Sequence, residues 1–328
     1  MPRVLVAGAG AIGQWLGARL LQAGNEVVLL VRPQQRDVLQ AEGFRIRGHT
    51  ELHGHLPCIT DPAEATGTFD AVVLTCKAHA TTALAPQVAP LLGAHGSFVT
   101  LQNGFGNAEK MARFVPPDRI AVALTSHGVT MEAPGRLWHA GTGPTRVGPF
   151  PGAAGDHAAR RAYALMLDAG LEPEWSDDVR PHVWLKGLVN HAVNPVAALA
   201  GVANGRLLAG RLGERCRILA EEGHALSRAA GVALPADVVA TVRSTLERTA
   251  ENRCSMLQDV AARRPTEVEQ ITGHLVRLAR RLGYPMVASE GVYRDLKRLE
   301  SSYLGEAASL RMAREEAKAE SAVADGRR

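Results

Sequence analysis

Residues 3–31 read RVLVAGAGAIGQWLGARLLQAGNEVVLLV, and this stretch decides the fold. It opens with a short valine-rich run, RVLVA, followed at once by Gly8-Ala9-Gly10-Ala11-Ile12-Gly13, a GxGxxG pattern. From 11 to 23 the apolar residues Ile12, Trp15, Leu16, Ala18, Leu20 and Leu21 recur at helical spacing. Gly24-Asn25 closes that helix. Residues 26–31 form a second strand with almost no polar alternation, as suits a parallel strand covered on both faces. A lone GxGxxG is weak. Between a strand and a helix at the start of an α/β unit it predicts a dinucleotide site. Gly8 permits the tight turn, Gly10 lets the backbone approach a pyrophosphate, and Gly13 lets helix and strand pack closely. The turn Gly8, Ala9, Gly10, Ala11, Ile12, Gly13 would then offer free N–H groups and the positive end of the helix dipole to the phosphates.

Outward from this unit, residues 69–75 (FDAVVLT) and 97–101 (SFVTL) read as further buried strands. Residues 84–92 pack on the sheet between them, and 120–124 and 144–147 add edge strands. After about residue 175 the texture changes. The runs 183–199, 213–230, 235–252 and 265–282 have helical length and spacing, punctuated by Gly or Pro. The expected class is an α/β N-terminal Rossmann-type dinucleotide-binding domain over 1–178, then an all-α C-terminal domain over 179–311. Residues 312–328 (MAREEAKAESAVADGRR) read as a polar tail, either a fraying helix or disordered. A chain of 328 residues predicts two such domains.

Composition excludes several other classes. Apolar residues make up 46% and charged residues 21%, which is ordinary globular composition. The net charge of +4 is too small and too dispersed to argue for nucleic acid. No apolar run approaches the roughly 20 residues of a membrane span. The glycine-broken N-terminus reads as the first strand of a fold and not as a signal peptide. Cys58, Cys76, Cys216 and Cys254 form no CxxC pair, so reduced thiols in a cytoplasm are expected. The histidines show no metal-ligand spacing, and GxSxG and P-loop motifs are absent.

The end of the second strand bears on the cofactor. A carboxylate there usually takes the ribose 2′-OH of NAD. Here the chain reads Val31-Arg32-Pro33, with no carboxylate at the tip. Arg32 can pair with a 2′-phosphate through its planar fork, which favours NADP; the other reading is a solvated loop charge.

The second half carries a polar stripe. Lys186, Asn190 and Asn194 are spaced i, i+4, i+8 among apolar neighbours. Burying them is costly unless a ligand satisfies them. Lys186 then suits a general acid near neutral pH. An amphipathic, solvated stripe explains the spacing equally well. Further on, Ser255 with Gln258 and Thr266 with Glu269 fit capping boxes. Glu267 in a first helical turn would favour the dipole. Spacing alone favours capping over chemistry at these positions. Asn103 and Lys77 follow predicted strands, where ligands of an open α/β sheet sit, although an Asn-Gly turn and a surface lysine account for them as well.

Taken together, GAGAIG, VRP, CKAHA, LQNGFGN, WLKGLVNHAVNPVAAL, SMLQDV and PTEVEQITG resemble the ketopantoate reductases (2-dehydropantoate 2-reductases), from the first strand to about Leu299. The resemblance implies a Rossmann domain and a helical domain with substrate in the cleft between them. It implies NADPH-dependent reduction of 2-dehydropantoate to (R)-pantoate in pantothenate biosynthesis. Lys186 matches the catalytic lysine that gives a proton to the ketone oxygen, and Glu267 the acid that orients the substrate hydroxyl. Asn103, Asn190, Asn194 and Ser255 match substrate contacts. Gly8, Gly10, Gly13 and Arg32 match the NADP site, with Lys77 and Asn103 near the nicotinamide and its ribose. A small 2-keto acid is the implied partner, with neither nucleic acid nor membrane; a homodimer is compatible.

The chain also departs from the family's pattern. Glu269-Gln270 stands where many members have Asp-Tyr, Thr272-Gly273 where many have Asn-Gly, and Val287-Ala288-Ser289 where a Pro-Val-Asn pattern is common. Ala80 replaces a polar residue. These changes keep open a related NADP-dependent 2-keto-acid or 3-hydroxy-acid dehydrogenase. A non-catalytic NADP-binding sensor is disfavoured by the presence of both Lys186 and Glu267.

Overall fold

A computed structural model describes residues 1–325, which divide after Val179 into two compact units. The first comprises residues 1–102 and 107–179. In chain order it contains β1 (Arg3–Ala7), α1 (Ala11–Gln22), β2 (Glu26–Leu30), α2 (Pro33–Glu42), β3 (Phe44–Gly48), β4 (Leu52–Gly54), β5 (Cys58–Ile59) and β6 (Phe69–Leu74). It continues through α3 (Thr81–Val88), β7 (Leu92–Thr100), α4 (Asn107–Met111), β8 (Ile120–Thr125), β9 (Gly128–Ala133), β10 (Arg136–Gly141), β11 (Thr145–Pro149), α5 (His157–Asp168) and β12 (Glu174–Trp175).

Eight strands form one sheet in the order β12-β11-β8-β7-β6-β1-β2-β5. β1 lies parallel between β2 and β6, with Val4 opposite Val27 and Ala71. Valine-rich strands suit this place because both faces are covered. Val4, Val6, Val27, Leu29, Val73 and Val99 share a core with Trp15, Leu16 and Leu20 of α1 and with Ala162, Leu165 and Met166 of α5. Each large side chain buried this way contributes about 1.5–3 kcal/mol. The segments expected as edge strands are interior. β8 is buried at every residue between β7 and β11, and β11 runs antiparallel to it. The edges are β5 and the two-residue β12.

A second sheet, β4-β3-β10-β9, was not visible in the sequence. β3 pairs with β10 in parallel, Arg45 opposite Arg136, across about ninety residues of chain. β3 alternates with the exposed Arg45 and Arg47, and β4 has three residues, so no apolar run marks them.

The second unit comprises residues 103–106 and those from Arg180 onward. Its helices are α6 (Arg180–Ala200), α7 (Gly210–Ala229), α8 (Val238–Arg248), α9 (Ser255–Ala261), α10 (His274–Leu282), α11 (Val287–Leu304) and α12 (Glu306–Asp325). Leu188, Ala192, Val193 and Val196 of α6 meet Leu219, Ala220 and Leu226 of α7 and Val242 and Leu246 of α8 in a second core. The expected helix 265–282 instead begins as a π-turn, Glu269–Gly273, that leads into α10. The segment expected as a fraying or disordered tail is helical through Asp325, with Glu316 and Glu320 docked against the unit; residues 326–328 lie outside the described residues. Among the described residues no helix is long and apolar enough to cross a membrane, and no cluster of His, Cys, Asp or Glu could hold a metal ion.

Candidate active site

In the first unit the glycine turn has the geometry of a phosphate cradle. Gly8 has φ +127, a conformation that side chains rarely adopt, and a Cβ there would strike the backbone of Cys76. A Cβ on Gly13 would strike the carbonyl of Gly8. Gly10 is the opposite case. It faces open space, and it caps α1 with no side-chain hydrogen bond. The first turn of α1 therefore keeps backbone N–H groups for an anion. Thr75 Oγ1 donates to Gly8 O at 2.6 Å, and Gln14 and Gln35 both donate their amides to Ala9 O, at 2.9 and 3.1 Å. The turn is held from outside while its phosphate side stays clear, so the residues fit a dinucleotide.

Arg32 caps α2 at the end of β2 and is exposed. Its neighbour Arg36 is engaged by Glu64 at 3.0 Å, whereas Arg32 has no ion-pair partner among the described residues. Lys77 is half-buried in the turn after β6. Sequence reasoning missed Gln102, the residue that ties this turn to the end of β7. Its buried amide donates to Cys76 O at 2.9 Å and to Thr81 Oγ1 at 2.8 Å. An amide directly after a strand was the available signal.

The second unit holds the remaining candidates. Lys186, Asn190 and Asn194 line one face of α6. The first two are half-buried and Asn194 is buried. Burial lowers the Lys186 pKa to about 8, against the opposing charge of Glu267. Glu267 is only 6% exposed, in the turn before Glu269. A buried carboxylate coupled to a desolvated ammonium is the usual signature of a site, not of a solvated stripe.

The loop 103–106 packs on the same stretch of α6. The ring of Phe105 lies against Gly187, where a Cβ would overlap it. Trp184 meets that ring edge-on at 5.4 Å, and His274 stacks on it at 4.9 Å. The loop that carries the half-buried Asn103 is thereby fixed to α6 at Gly187, the residue after Lys186. Phe105 and Gly187 escaped sequence reasoning. The signals were an aromatic between two glycines and a glycine inside a helix next to a lysine.

The two capping boxes do not form. Cys254, not Ser255, caps α9: its Sγ accepts from Leu257 N at 3.4 Å and donates to Asn194 O at 3.7 Å. Ser255 is left exposed on the first turn, one residue from the chain that touches Asn194. Thr266 bonds Glu300, and Glu269 turns away to Tyr293, Arg277 and Lys297. At Ser255 the adjacent Cys254 takes the cap position, and at Thr266 the side chain bonds Glu300 and the N–H of Val268, while Glu269 is drawn to other partners. Two of the departures from the family pattern share one partner. Thr272 and Ser289 are the partners of the buried His191, at 3.1 and 3.0 Å.

A glycine-turn α/β unit with a helical unit that carries a paired lysine and glutamate defines a class, the nicotinamide-dependent reductases. Residues 4–152 match the model of the family Ketopantoate reductase PanE/ApbA, and residues 178–300 match the model of its C-terminal domain. The chain belongs to this family of NAD(P)-dependent reductases. It is 33% identical over 300 residues to a 2-dehydropantoate 2-reductase of Archaeoglobus fulgidus, covering 91% of this chain and 98% of that one. It is 35% identical over 285 residues to the Halobacterium salinarum protein of the same name, covering 85% and 92%. A crystal structure of a PanE/ApbA family ketopantoate reductase from Ralstonia eutropha matches with a TM-score of 0.83 at 29% identity, covering 92% of this chain and 99% of that one. A D-mandelate dehydrogenase bound to NADH shares the fold, with a TM-score of 0.86 at 23% identity over 92% and 99% of the two chains.

Proposed function

We propose that this chain reduces 2-dehydropantoate to (R)-pantoate with NADPH. The observation that carries the reading is Lys186, half-buried with its pKa lowered to about 8, coupled to the buried Glu267. The bound dinucleotide supplies the hydride. Lys186 supplies the proton to the ketone oxygen. At neutral pH its ammonium form predominates, yet the proton is held less tightly than on a solvated lysine. Negative charge that develops on the oxygen makes this cation worth more in the transition state than in the ground state. Glu267 accepts a hydrogen bond from the substrate hydroxyl. The stripe of Asn190 and Asn194, with Ser255 and Asn103, supplies polar contacts to the keto acid. On the cofactor side, Arg32 pairs with the 2′-phosphate, which makes NADPH the preferred dinucleotide, and Lys77 and Asn103 serve the nicotinamide and its ribose. The four cysteines, none of them in a disulfide, suit a reducing, cytoplasmic setting.

A second substrate is supported by one observation. Gln270, in the segment that departs from the family, lies directly against Gly104 beside Asn103. A different residue there reshapes the neighbourhood of a substrate contact. The test is a turnover screen of purified chain with NADPH and NADH against a set of 2-keto acids. Fastest oxidation of NADPH with 2-dehydropantoate is the expected result. Turnover with another acid alone sinks the substrate, and no turnover with any sinks the reaction.

A further inference from the structure

Helix α12 lies beyond residue 300, where the match to the family's helical domain ends. Two carboxylates on its inward side are placed with purpose. Glu316 Oε2 accepts from Gln270 Nε2 at 2.9 Å. Glu320 Oε1 lies 2.7 Å from His274 Nδ1, and its Oε2 accepts from Arg277 Nε at 2.9 Å. Gln270 and His274 are the same two residues that hold the Asn103 loop. The Gln270 carbonyl accepts from Phe105 N at 2.9 Å, and the His274 ring stacks on Phe105 with an interplanar angle of 11°. Each grip on the loop is thus backed by one acid of α12. The Gln270 amide depends on this backing, because its buried Oε1 has no hydrogen-bond partner among the described residues.

We propose that α12 positions the Asn103 loop through Glu316 and Glu320, which act as positioning residues for the keto acid. The chain of contacts is short and stiff: carboxylate, π-turn or imidazole, phenyl ring, loop. Arg277 adds rigidity, since it bridges Glu320 and the buried Glu269. A contact residue displaced by an ångström loses much of its effect on a reaction, so a remote brace can set substrate affinity. The kinetic part of this role rests on the reduction proposed above; the positioning of the loop does not.

The experiment uses the full chain with Glu316→Ala and Glu320→Ala combined. The exposed Glu315→Gln on the same helix is the control. Backbone amide exchange over residues 103–106 is expected to speed up by about tenfold or more, as the brace on the Phe105 N–H is lost. KM for the keto acid is expected to rise by about tenfold with a smaller change in kcat, while NADPH affinity and the control stay at wild-type values. Unchanged exchange at 103–106, or an unchanged KM in a variant that has lost only thermal stability, overturns the proposal. If the double variant does not fold, Glu316→Ala alone is read by the same two measurements and the same outcomes. A wild-type chain without keto-acid turnover defeats the reaction only; the exchange result then decides the role of α12.

Discussion

Gly187 and Phe105 are in contact so close that α6 has no room for a β-carbon at that point. This contact seats the loop that carries Asn103 on α6 at the residue after Lys186. Gly187→Ala must therefore push the ring away or bend α6. Overpacking of this kind costs about 1–3 kcal/mol. We expect a lowered Tm together with a rise in KM for the keto acid. Wild-type kinetics in a folded Gly187→Ala variant would count against the loop's place at the site.

Lys186 sets the pH dependence. Its pKa is lowered to about 8 by burial, so the proton donor is present below that value and is lost above it. The rate of keto-acid reduction, as kcat/KM, should hold level toward neutrality and fall as pH rises through about 8. Glu267→Gln removes the charge that opposes the shift, so the fall should begin at lower pH. A profile that is flat to pH 10 would remove Lys186 from the role of acid.

Substitution separates chemistry from binding. Lys186→Ala should lower kcat by about a hundredfold or more, the scale expected of a general acid, and leave NADPH affinity near wild type. Isothermal titration with NADPH and single-turnover kinetics check the two halves of this statement. Full activity in the variant defeats the mechanism.

Arg32 tests the cofactor preference. Arg32→Ala should weaken NADPH binding by about 1.5–3 kcal/mol, the range for hydrogen bonds to charged groups, and change NADH binding little. Dissociation constants for the two dinucleotides decide it. An equal loss for both means that Arg32 does not read the 2′-phosphate.

His191 gives a stability signature apart from catalysis. Ser289 Oγ donates to Glu222 at 2.6 Å, so it accepts from His191 Nε2, and Nδ1 accepts from Thr272. The ring is neutral, and burial lowers its pKa to about 4. Between about pH 6.5, the ordinary histidine value, and pH 4 the unfolded chain takes up a proton that the folded chain refuses. Stability should therefore fall as pH drops through that window. Denaturant melts of wild type and His191→Gln across it provide the check, and identical slopes would mean His191 does not contribute.

The cofactor half was largely legible because its signals are local. Gly8, Gly10 and Gly13 answer to a single turn, and Arg32 follows two residues after β2. The i, i+4, i+8 stripe of Lys186, Asn190 and Asn194 was equally visible. Its meaning was not, because helical spacing gives a face without saying what covers it. The caps at Ser255 and Thr266 were misread for two different reasons. The neighbouring Cys254 took the cap of α9, and Glu300, reached across the fold, took the bond of Thr266.

The sequence by itself determined the strand–helix alternation around the glycine turn, the helical second half and the face that Lys186, Asn190 and Asn194 share. Strand and helix periods, the glycine turn and the polar stripe are properties of neighbouring residues, and solvent exclusion acts on them in any packed state. Tertiary structure alone decided the rest: the parallel pairing of β3 with β10, the burial that lowers the Lys186 pKa, the seat of Phe105 on Gly187, and the docking of α12. Each depends on groups far apart in the chain. Their desolvation and contact exist only once each unit has packed, and no local pattern records that.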